Sequence, residues 1–132
     1  AVTLASIVQR EAVVASERPL IAGVFLNRLT QDIPLQADPT VQYAVGYDAA
    51  GQTWWKNPLW QTDLDYDSPY NTYLYGGLPP GPIATPGLSA LEAVAFPQST
   101  DYIFFVANCN KDGTHNFSVT YEEHLGYVQA CR

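Results

Sequence analysis

The stretch VTLASIVQREAVVA, residues 2–15, repeats apolar residues at helical spacing. This period is typical of an amphipathic helix that buries one face. The apolar stripe consists of Leu4, Ile7, Val8, Ala12 and Ala15. One more step along the same stripe reaches a carboxylate, Glu11, between Val8 and Ala12. The stretch therefore predicts a helix that carries an acidic side chain among apolar neighbours.

Two interpretations of Glu11 follow from this position. A carboxylate among apolar neighbours loses solvation, which disfavours its charged form and raises its pKa. A general acid needs that environment at neutral pH, as in the lysozyme pattern of one acid in an apolar pocket. Structural ion pairs also place carboxylates on inner faces. The second interpretation therefore pairs Glu11 with Arg18 or Arg28 and joins two helices.

Capping and stop signals predict three more helices in the first hundred residues. The second helix has Ser16 as candidate N-cap and Pro19 in its first turn, and it ends near Thr30. The third runs from Asp38 through Val45 and is stopped by Gly46. The fourth runs from Gly87 to Ala95 and is terminated by Pro97. The second helix is expected to turn an apolar face inward, made of Leu20, Ile21, Val24, Phe25 and Leu29.

The last thirty residues predict a hairpin followed by a helix. Tyr102–Ala107 is a dense apolar and aromatic run, typical of a buried strand. The turn signal Asn110–Gly113 leads into a return strand, Thr114–Val119. Thr120 then begins a final helix, with Glu123 completing a capping box. The predicted fold class is α+β: a single domain of several helices with a small antiparallel β-hairpin.

Length, composition and charge narrow the class of protein. The 132 residues suffice for one domain with a hydrophobic core and are too few for two ordinary domains. Apolar residues make up 47% and charged residues 14%, which excludes a disordered acidic tail. The net charge of -7 disfavours nucleic acid and anionic membrane surfaces as partners. Without a methionine, a signal peptide or a transmembrane run, the chain is expected to be a piece of a longer protein.

Residues 47–69 have no helical or strand period, and a long irregular segment in a small domain is usually functional. Three tryptophans are followed there by three aspartates: Trp54, Trp55, Trp60, Asp63, Asp65 and Asp67. The aspartates resemble a calcium loop only in their alternation, because the glycine and the terminal glutamate are missing. A solvated loop is the preferred interpretation.

Two segments after this loop predict a carbohydrate groove. Residues 68–73, SPYNTY, combine hydroxyls, an amide and aromatic rings, and residues 76–83, GGLPPGPI, form a stiff backbone. Sugars bind to such surfaces through hydrogen bonds and flat apolar contacts with rings. A rigid connector between helices is the other interpretation.

The cysteines and histidines leave three alternatives open. Cys109, Cys131, His115 and His124 lack the paired spacing of a zinc site, so no metal is expected. Cys109 and Cys131 fit one disulfide, which would tie the hairpin turn to the end of the last helix. Two buried free thiols remain the competing interpretation. His115, on a short strand after a turn, could donate to a ligand.

Eight segments occur in an order that matches a known family. They are LASIVQRE (4–11), ASER (15–18), VFLNRL (24–29), PLQADPTV (34–41), YNTY (70–73), GLPPGPI (77–83), THNFS (114–118) and TYEEH (120–124). Together they resemble the catalytic domain of the endolytic murein transglycosylases of the YceG-like family. In that family the catalytic glutamate closes the first motif, which maps onto Glu11 on a lysozyme-like catalytic helix. The second glutamate that the family often has two residues earlier is Gln9 here, and residues 47–67 match poorly.

The resemblance implies cleavage of the β-1,4 bond between N-acetylmuramic acid and N-acetylglucosamine without water. Glu11 would protonate the leaving oxygen and then accept the proton of the muramic C6 hydroxyl, giving a 1,6-anhydro product. No cofactor is required, because the internal hydroxyl is the nucleophile. The residues expected to bind or border the sugars are Gln36, Tyr70, Asn71, Thr72, Tyr73, Pro80, Gly81 and His115.

The resemblance also implies a setting for residues 1–132: one catalytic domain of a membrane-anchored parent, without its anchor and LysM-like region. We expect a monomeric domain on the cell-envelope side of the cytoplasmic membrane, with peptidoglycan glycan strands as partner. Cell-wall synthesis proteins would be reached through the full-length parent. Two rivals remain: a hydrolytic muramidase whose second carboxylate is Asp38, Asp63, Asp65 or Asp67, and a non-catalytic glycan-binding module, which a fully exposed Glu11 would favour.

Overall fold

The computed structural model describes residues 1–131; Arg132, which the predicted domain includes, lies outside the described residues. The elements in chain order are α1 (Val2–Glu11), a 3-10 turn (Ala15–Glu17), α2 (Arg18–Thr30), α3 (Asp38–Val45), α4 (Gln61–Leu64), α5 (Leu88–Ala95), β1 (Phe104–Ala107), β2 (His115–Ser118) and α6 (Tyr121–Ala130). The predicted α+β class is confirmed. The predicted third helix matches α3, and α5 begins one residue later than predicted because Gly87 is its N-cap.

Helices α1, α2 and α5 pack against one another and form the core. Most of the largest fully buried apolar side chains are on the first two of these helices: Ile7, Val8, Ile21, Val24 and Phe25. A glycine allows α2 to approach the chain after α5, because a Cβ on Gly23 would lie 2.3 Å from the carbonyl oxygen of Gln98. The apolar face predicted for α1 is therefore the face that meets the other two helices.

Helix α1 is shorter than predicted. Ala12 has extended backbone angles, φ -88° and ψ 109°, so the helix ends at Glu11. The β-branched pair Val13 and Val14 follows, and such residues lose side-chain freedom in a helix. Ala15, predicted on the buried stripe, lies in the 3-10 turn and is exposed. Glu11 is therefore the last residue of α1, and the chain leaves the helix directly after it.

The start of α2 also differs from the prediction. Ser16 lies inside the 3-10 turn, and the N-cap is Glu17, whose side chain makes no capping hydrogen bond. Pro19 is in the first turn and Thr30 ends the helix, as predicted. Backbone hydrogen bonds in the 3-10 turn pair N–H groups just before α2, so no serine side chain is needed there as a cap.

The predicted hairpin and final helix are confirmed. Strand β1 pairs antiparallel with β2, with Phe104 opposite Ser118 and Ala107 opposite His115. The Thr120 side chain accepts a hydrogen bond from the backbone N–H of Glu123, and the Glu123 carboxylate accepts from the Thr120 backbone. The cap begins α6 immediately after the hairpin, so the first turn of α6 lies against β1.

Residues 47–69 are irregular apart from α4 and one backbone bridge between Asp48 and Thr53. Lys56 forms an ion pair with Asp63 at 2.9 Å, and Asp63 also accepts a hydrogen bond from the backbone N–H of Trp60. Of the three aspartates, Asp63 therefore stabilises the fold of this segment. In residues 1–131 no helix has the length and hydropathy that a bilayer crossing requires.

A disulfide joins Cys109, after β1, to Cys131, after α6. This pairing decides between the alternatives that the sequence left open. It closes a loop of 22 residues that holds β2 and α6 together. The same constraint holds α6 over the hairpin, where it contributes to the cavity described next.

Candidate active site

Glu11 opens into a cavity of about 260 Å³ where α1, α2, α3 and the hairpin meet. One wall carries acidic and polar side chains: Glu11, Gln36, Asp38 and Tyr73. The lining also includes Arg28, His124 and the rings of Phe104 and Tyr121, together with the apolar side chains of Phe25, Leu35 and Phe105. We call this space the Glu11 cavity and its acidic and polar side chains the polar wall. The cavity therefore presents both carboxyl groups and a guanidinium to a bound molecule.

The environment of Glu11 favours the protonated carboxyl. Its side chain is half-buried, and its pKa is raised from 4.5 to about 8, first by burial and then by the negative charge of Asp38. No ion pair within residues 1–131 reaches Glu11. The interpretation of Glu11 as the partner of Arg18 or Arg28 is therefore wrong. At neutral pH this side chain can donate a proton.

Asp38 and Tyr73 form a linked pair beside Glu11. The Tyr73 hydroxyl donates to Asp38 Oδ1 at 2.5 Å. Burial, followed by this bond and the charges of Asp38 and Glu11, raises the pKa of Tyr73 above its usual range. The phenol therefore stays protonated. The pair keeps a negative charge close to Glu11 while it offers a ring and a hydroxyl to the cavity.

Gln36 reaches the cavity from an unusual backbone conformation. Its φ of 50° lies in the left-handed region that favours glycine. Its N–H donates to the Thr72 carbonyl at 3.3 Å, and the next N–H, of Ala37, donates to the Thr72 hydroxyl at 2.9 Å. Strained backbone of this kind persists only where the surroundings hold it, and it is frequent at functional sites.

Arg28 lines the Glu11 cavity and is held by two backbone carbonyls. Its Nε donates to the Ile103 carbonyl at 2.6 Å and its Nη1 to the Pro34 carbonyl at 2.8 Å. Burial lowers the pKa of Arg28, but the group remains far from titrating at neutral pH. Arg28 thus joins α2 to the entry of β1 and places a positive charge at the edge of the cavity.

His124 lies on the first turn of α6 and stacks on Phe104, with ring centroids 5.0 Å apart. Its Nδ1 is buried and has no hydrogen-bond partner in the described chain. Burial, with the charge of Arg28 as a smaller cause, lowers the pKa of His124. A neutral imidazole therefore lines the Glu11 cavity.

Comparison with known proteins places the chain in a family. The model of the YceG-like family matches residues 1–130. The chain belongs to the YceG-like family. A crystal structure of a YceG-like protein from Listeria monocytogenes is 47% identical and superposes with a TM-score of 0.83, over 94% of this chain and 38% of that one.

Two curated relatives are named endolytic murein transglycosylase. The one from Bacillus subtilis is 46% identical over 122 residues, which is 92% of this chain and 31% of the relative. The one from Streptococcus pneumoniae strain D39 is 38% identical over 122 residues, covering 92% of this chain and 22% of the relative. The chain thus spans about a third or less of the length of these relatives.

Of the residues predicted from the YceG-like motifs, Glu11, Gln36 and Tyr73 come together on the cavity. Asn71 and Thr72 do not reach it, since both side chains are fully buried. Asn71 Nδ2 donates to the carbonyls of Leu64 and Tyr66, and its Oδ1 accepts from the Tyr73 N–H. These two residues hold the polar wall from behind.

The remaining predicted residues lie away from the Glu11 cavity. Tyr70 packs on Tyr43, with ring centroids 4.9 Å apart, and its hydroxyl lies where a Cβ on Gly81 would be 3.3 Å away. Pro80 is exposed in the same stiff segment. His115 pairs with Glu17 at 2.9 Å and so connects β2 to the turn before α2. No cluster of three or more metal-ligating side chains occurs in residues 1–131.

Sequence reasoning missed Arg28 and His124 as cavity residues. Arg28 interrupts the apolar face of α2 between Phe25 and Leu29. It was interpreted as a possible ion-pair partner of Glu11, so its place in a cavity was not predicted. The capping box at Thr120 places His124 one turn into α6, facing the hairpin. Both signals become visible only when the hairpin is known to close over α2.

Proposed function

We propose that this YceG-like chain is the catalytic part of a lytic transglycosylase that acts on peptidoglycan glycan strands. The observation that carries the proposal is Glu11, half-buried in a cavity with a pKa of about 8. It is a proton donor at neutral pH, and the named relatives are murein transglycosylases. The half-burial argues against the non-catalytic glycan-binding module.

The reaction needs one carboxyl that changes roles. The Glu11 carboxyl donates its proton to the glycosidic oxygen as the bond from muramic C1 to that oxygen breaks. The electron-deficient C1 is then attacked by the C6 hydroxyl of the same sugar, and the Glu11 carboxylate accepts the hydroxyl proton. The products are a 1,6-anhydro-muramic end and a strand with a free 4-hydroxyl. No water is consumed, and Glu11 returns to its protonated form.

We assign the sugar contacts to the polar wall. Gln36 supplies an amide and Tyr73 a ring and hydroxyl beside Glu11. Asn71 and Thr72 act through them as positioning residues, because their hydrogen bonds hold Tyr73 and the backbone of Gln36. Preorganised groups of this kind lower the cost of orienting the substrate. Tyr70, Pro80, Gly81 and His115 do not line the Glu11 cavity, so we assign them no sugar contact there.

A hydrolytic muramidase is the second candidate, because Asp38 lines the same cavity. A glycosidase that uses water needs a second carboxylate as base or nucleophile. The other aspartates considered are occupied elsewhere: Asp63 by Lys56, Asp65 by the Gln61 side chain and Asp67 by the Tyr75 hydroxyl. The candidate therefore depends on Asp38.

Digestion of purified sacculi by the wild-type chain and by Glu11→Gln tests the proposal. We expect anhydro-muramic products from wild type and a loss of about 10²- to 10⁴-fold in the variant, the contribution of a general acid. Mass spectrometry separates the products, since the anhydro end weighs one water less than a hydrolysed end. Glu92→Gln, an exposed change on α5, is the matched control and should keep wild-type activity.

Two results would contradict the proposal. Unchanged anhydro product from Glu11→Gln removes Glu11 from catalysis, and hydrated reducing ends from wild type assign the muramidase reaction instead. We further propose that the chain acts on the cell-envelope side of the membrane, because its polymeric substrate is found there. We also propose cell-wall synthesis proteins as its partners.

A further inference from the structure

A second cavity, of about 470 Å³, lies between α3 and the irregular segment. It is lined by Tyr43, Gly46, Trp54, Trp55 and Ile83, none of which is charged. We call it the aromatic cavity. Trp54 is 66% exposed and Tyr43 42% exposed. Large rings that remain in water around a concave surface are typical of a binding site.

Hydrogen bonds on both sides hold the tryptophans in place. Before them, Asp48 and Thr53 exchange backbone hydrogen bonds at 2.7 and 3.2 Å. After them, the Gln42 side chain donates to the Lys56 carbonyl at 2.8 Å, and Lys56 is paired with Asp63. The backbone that carries the rings is therefore held before a ligand arrives, which lowers the entropy cost of binding.

Three links connect the aromatic cavity to the Glu11 cavity. The Arg10 guanidinium lies 3.8 Å from the centroid of the Trp55 ring, and Arg10 precedes Glu11 on α1. Tyr43 follows Asp38 by five residues on α3, roughly 7 to 8 Å along the helix axis. Tyr43 also packs on Tyr70, at the start of the YNTY segment that ends in the Glu11 cavity with Tyr73.

The chemistry of the lining selects the ligand. A pyranose ring presents flat C–H faces that stack on aromatic rings, while its hydroxyls stay in water at the open side. An uncharged lining on a chain of net charge -7 gives no attraction to nucleotides or acidic peptides. A polymeric glycan held at Glu11 extends beyond the Glu11 cavity on both sides of the cleaved bond.

We propose that the aromatic cavity is a subsite for an N-acetylhexosamine residue of the same glycan strand whose cleaved bond lies at Glu11. The proposal rests on the proposed function for the identity of the strand. Trp54 and Trp55 supply stacking faces, and Arg10 holds the Trp55 ring in position. This subsite holds the strand without touching the reacting atoms, so it contributes equally to ground-state and transition-state binding.

Binding of an octasaccharide of alternating N-acetylglucosamine and N-acetylmuramic acid tests the subsite. Titration calorimetry in the Glu11→Gln background measures binding without turnover. We expect added Trp54→Ala to weaken binding about fivefold to tenfold, the size of one lost ring contact. Trp60→Ala is the matched control, because Trp60 is 63% exposed in the same segment and does not line the cavity. It should leave binding unchanged.

Two further measurements separate stacking from folding. Trp54→Tyr retains a ring and should recover most of the affinity, and all variants should melt with the parent because the Trp54 ring is mainly in water. In the active chain, Trp54→Ala should raise KM by the same factor and leave kcat unchanged.

Equal octasaccharide binding by the Trp54→Ala and Trp60→Ala variants overturns the subsite, even if wild type cleaves sacculi. Such a result would favour a protein, and not a glycan, as the ligand of the aromatic cavity. Weaker binding by Trp54→Ala alone supports the subsite, even if wild type yields no anhydro product. In that case the proposed reaction fails and the glycan site remains.

Discussion

The two cavities differ in how their side chains are held. In the Glu11 cavity, burial places a protonated carboxyl beside Asp38, and hydrogen bonds position the wall of Gln36 and Tyr73. In the aromatic cavity the lining is uncharged, Trp54 and Tyr43 are exposed and Trp55 is half-buried. Burial of a charged group changes its proton affinity, whereas an exposed ring supplies contact area. We therefore propose chemistry for the first cavity and binding for the second.

The contrast predicts that loss of the central side chain changes the stability of the protein at the Glu11 cavity and leaves it unchanged at the aromatic cavity. The folded state keeps the Glu11 proton up to a pH of about 8, but the unfolded chain releases it near pH 4.5. Stability attributable to Glu11 therefore falls as pH rises through this window. The amide introduced by Glu11→Gln does not titrate, so this variant should be more stable than wild type by as much as about 3 kcal/mol at pH 7.

Urea unfolding at pH 4 and pH 7 measures this difference. The gain should be near zero at pH 4, where Glu11 is protonated in both states, and Trp54→Ala should show no such pH dependence. A variant Glu11→Gln that is no more stable than wild type at pH 7 would mean that burial of Glu11 does not strain the fold, and the contrast between the cavities would fail.

The buried polar support of the Glu11 cavity should be the next most sensitive feature. Thr72→Val keeps the shape but removes the hydroxyl that accepts from Ala37 and bonds Thr40 at 2.8 Å. An unpaired buried N–H costs about 1 to 3 kcal/mol, so stability should fall by that amount. Because the N–H of Ala37, the residue after Gln36, loses its acceptor, the position of Gln36 should shift and kcat should fall as well. Thr62→Val, exposed on α4, is the control for which neither quantity should change.

Asp38→Asn should give the smallest effect, a shift in pH dependence. Removal of the negative charge of Asp38 lowers the pKa of Glu11 only in part, because burial is the larger cause of the raised pKa. Activity requires the protonated acid, so the alkaline limb of the pH–activity profile should move to lower pH by less than about one unit. Asp101→Asn, an exposed change, should leave the profile in place.

The same variant distinguishes the two candidate reactions. The amide oxygen introduced by Asp38→Asn can still accept the hydrogen bond of Tyr73, so the wall should keep its shape. A loss of activity by two orders of magnitude or more at every pH would assign Asp38 the role of second carboxylate, as a muramidase requires.

Local patterns determined much of the fold. The periodicity of residues 2–11, the Asp38-Pro39 start, the Gly46 stop and the capping box at Thr120 each act within one or two turns of the chain. Short-range sterics and hydrogen bonds decide such features, so they can be read without tertiary contacts. The boundary at Ala12 was misjudged because the apolar period continues past the point where the chain turns.

The candidate site was only partly predictable. The position of Glu11 followed from the apolar stripe, since a carboxylate on a buried face is visible in one sequence. The roles of Asn71 and Thr72 were not visible, because amides and hydroxyls serve equally well as sugar ligands and as buried supports. Burial on all sides decides between these uses, and burial depends on segments distant in the chain.

The sequence alone therefore determined the helices other than α4, the hairpin and the one carboxylate on an apolar face, because these depend on neighbours within a few residues. Only the tertiary structure decided that Asp38, Tyr73, Arg28 and His124 surround Glu11, and that Cys109 and Cys131 are joined. The physical reason is that a pKa, a cavity and a disulfide depend on distances between groups that packing brings together. Chain order does not specify those distances.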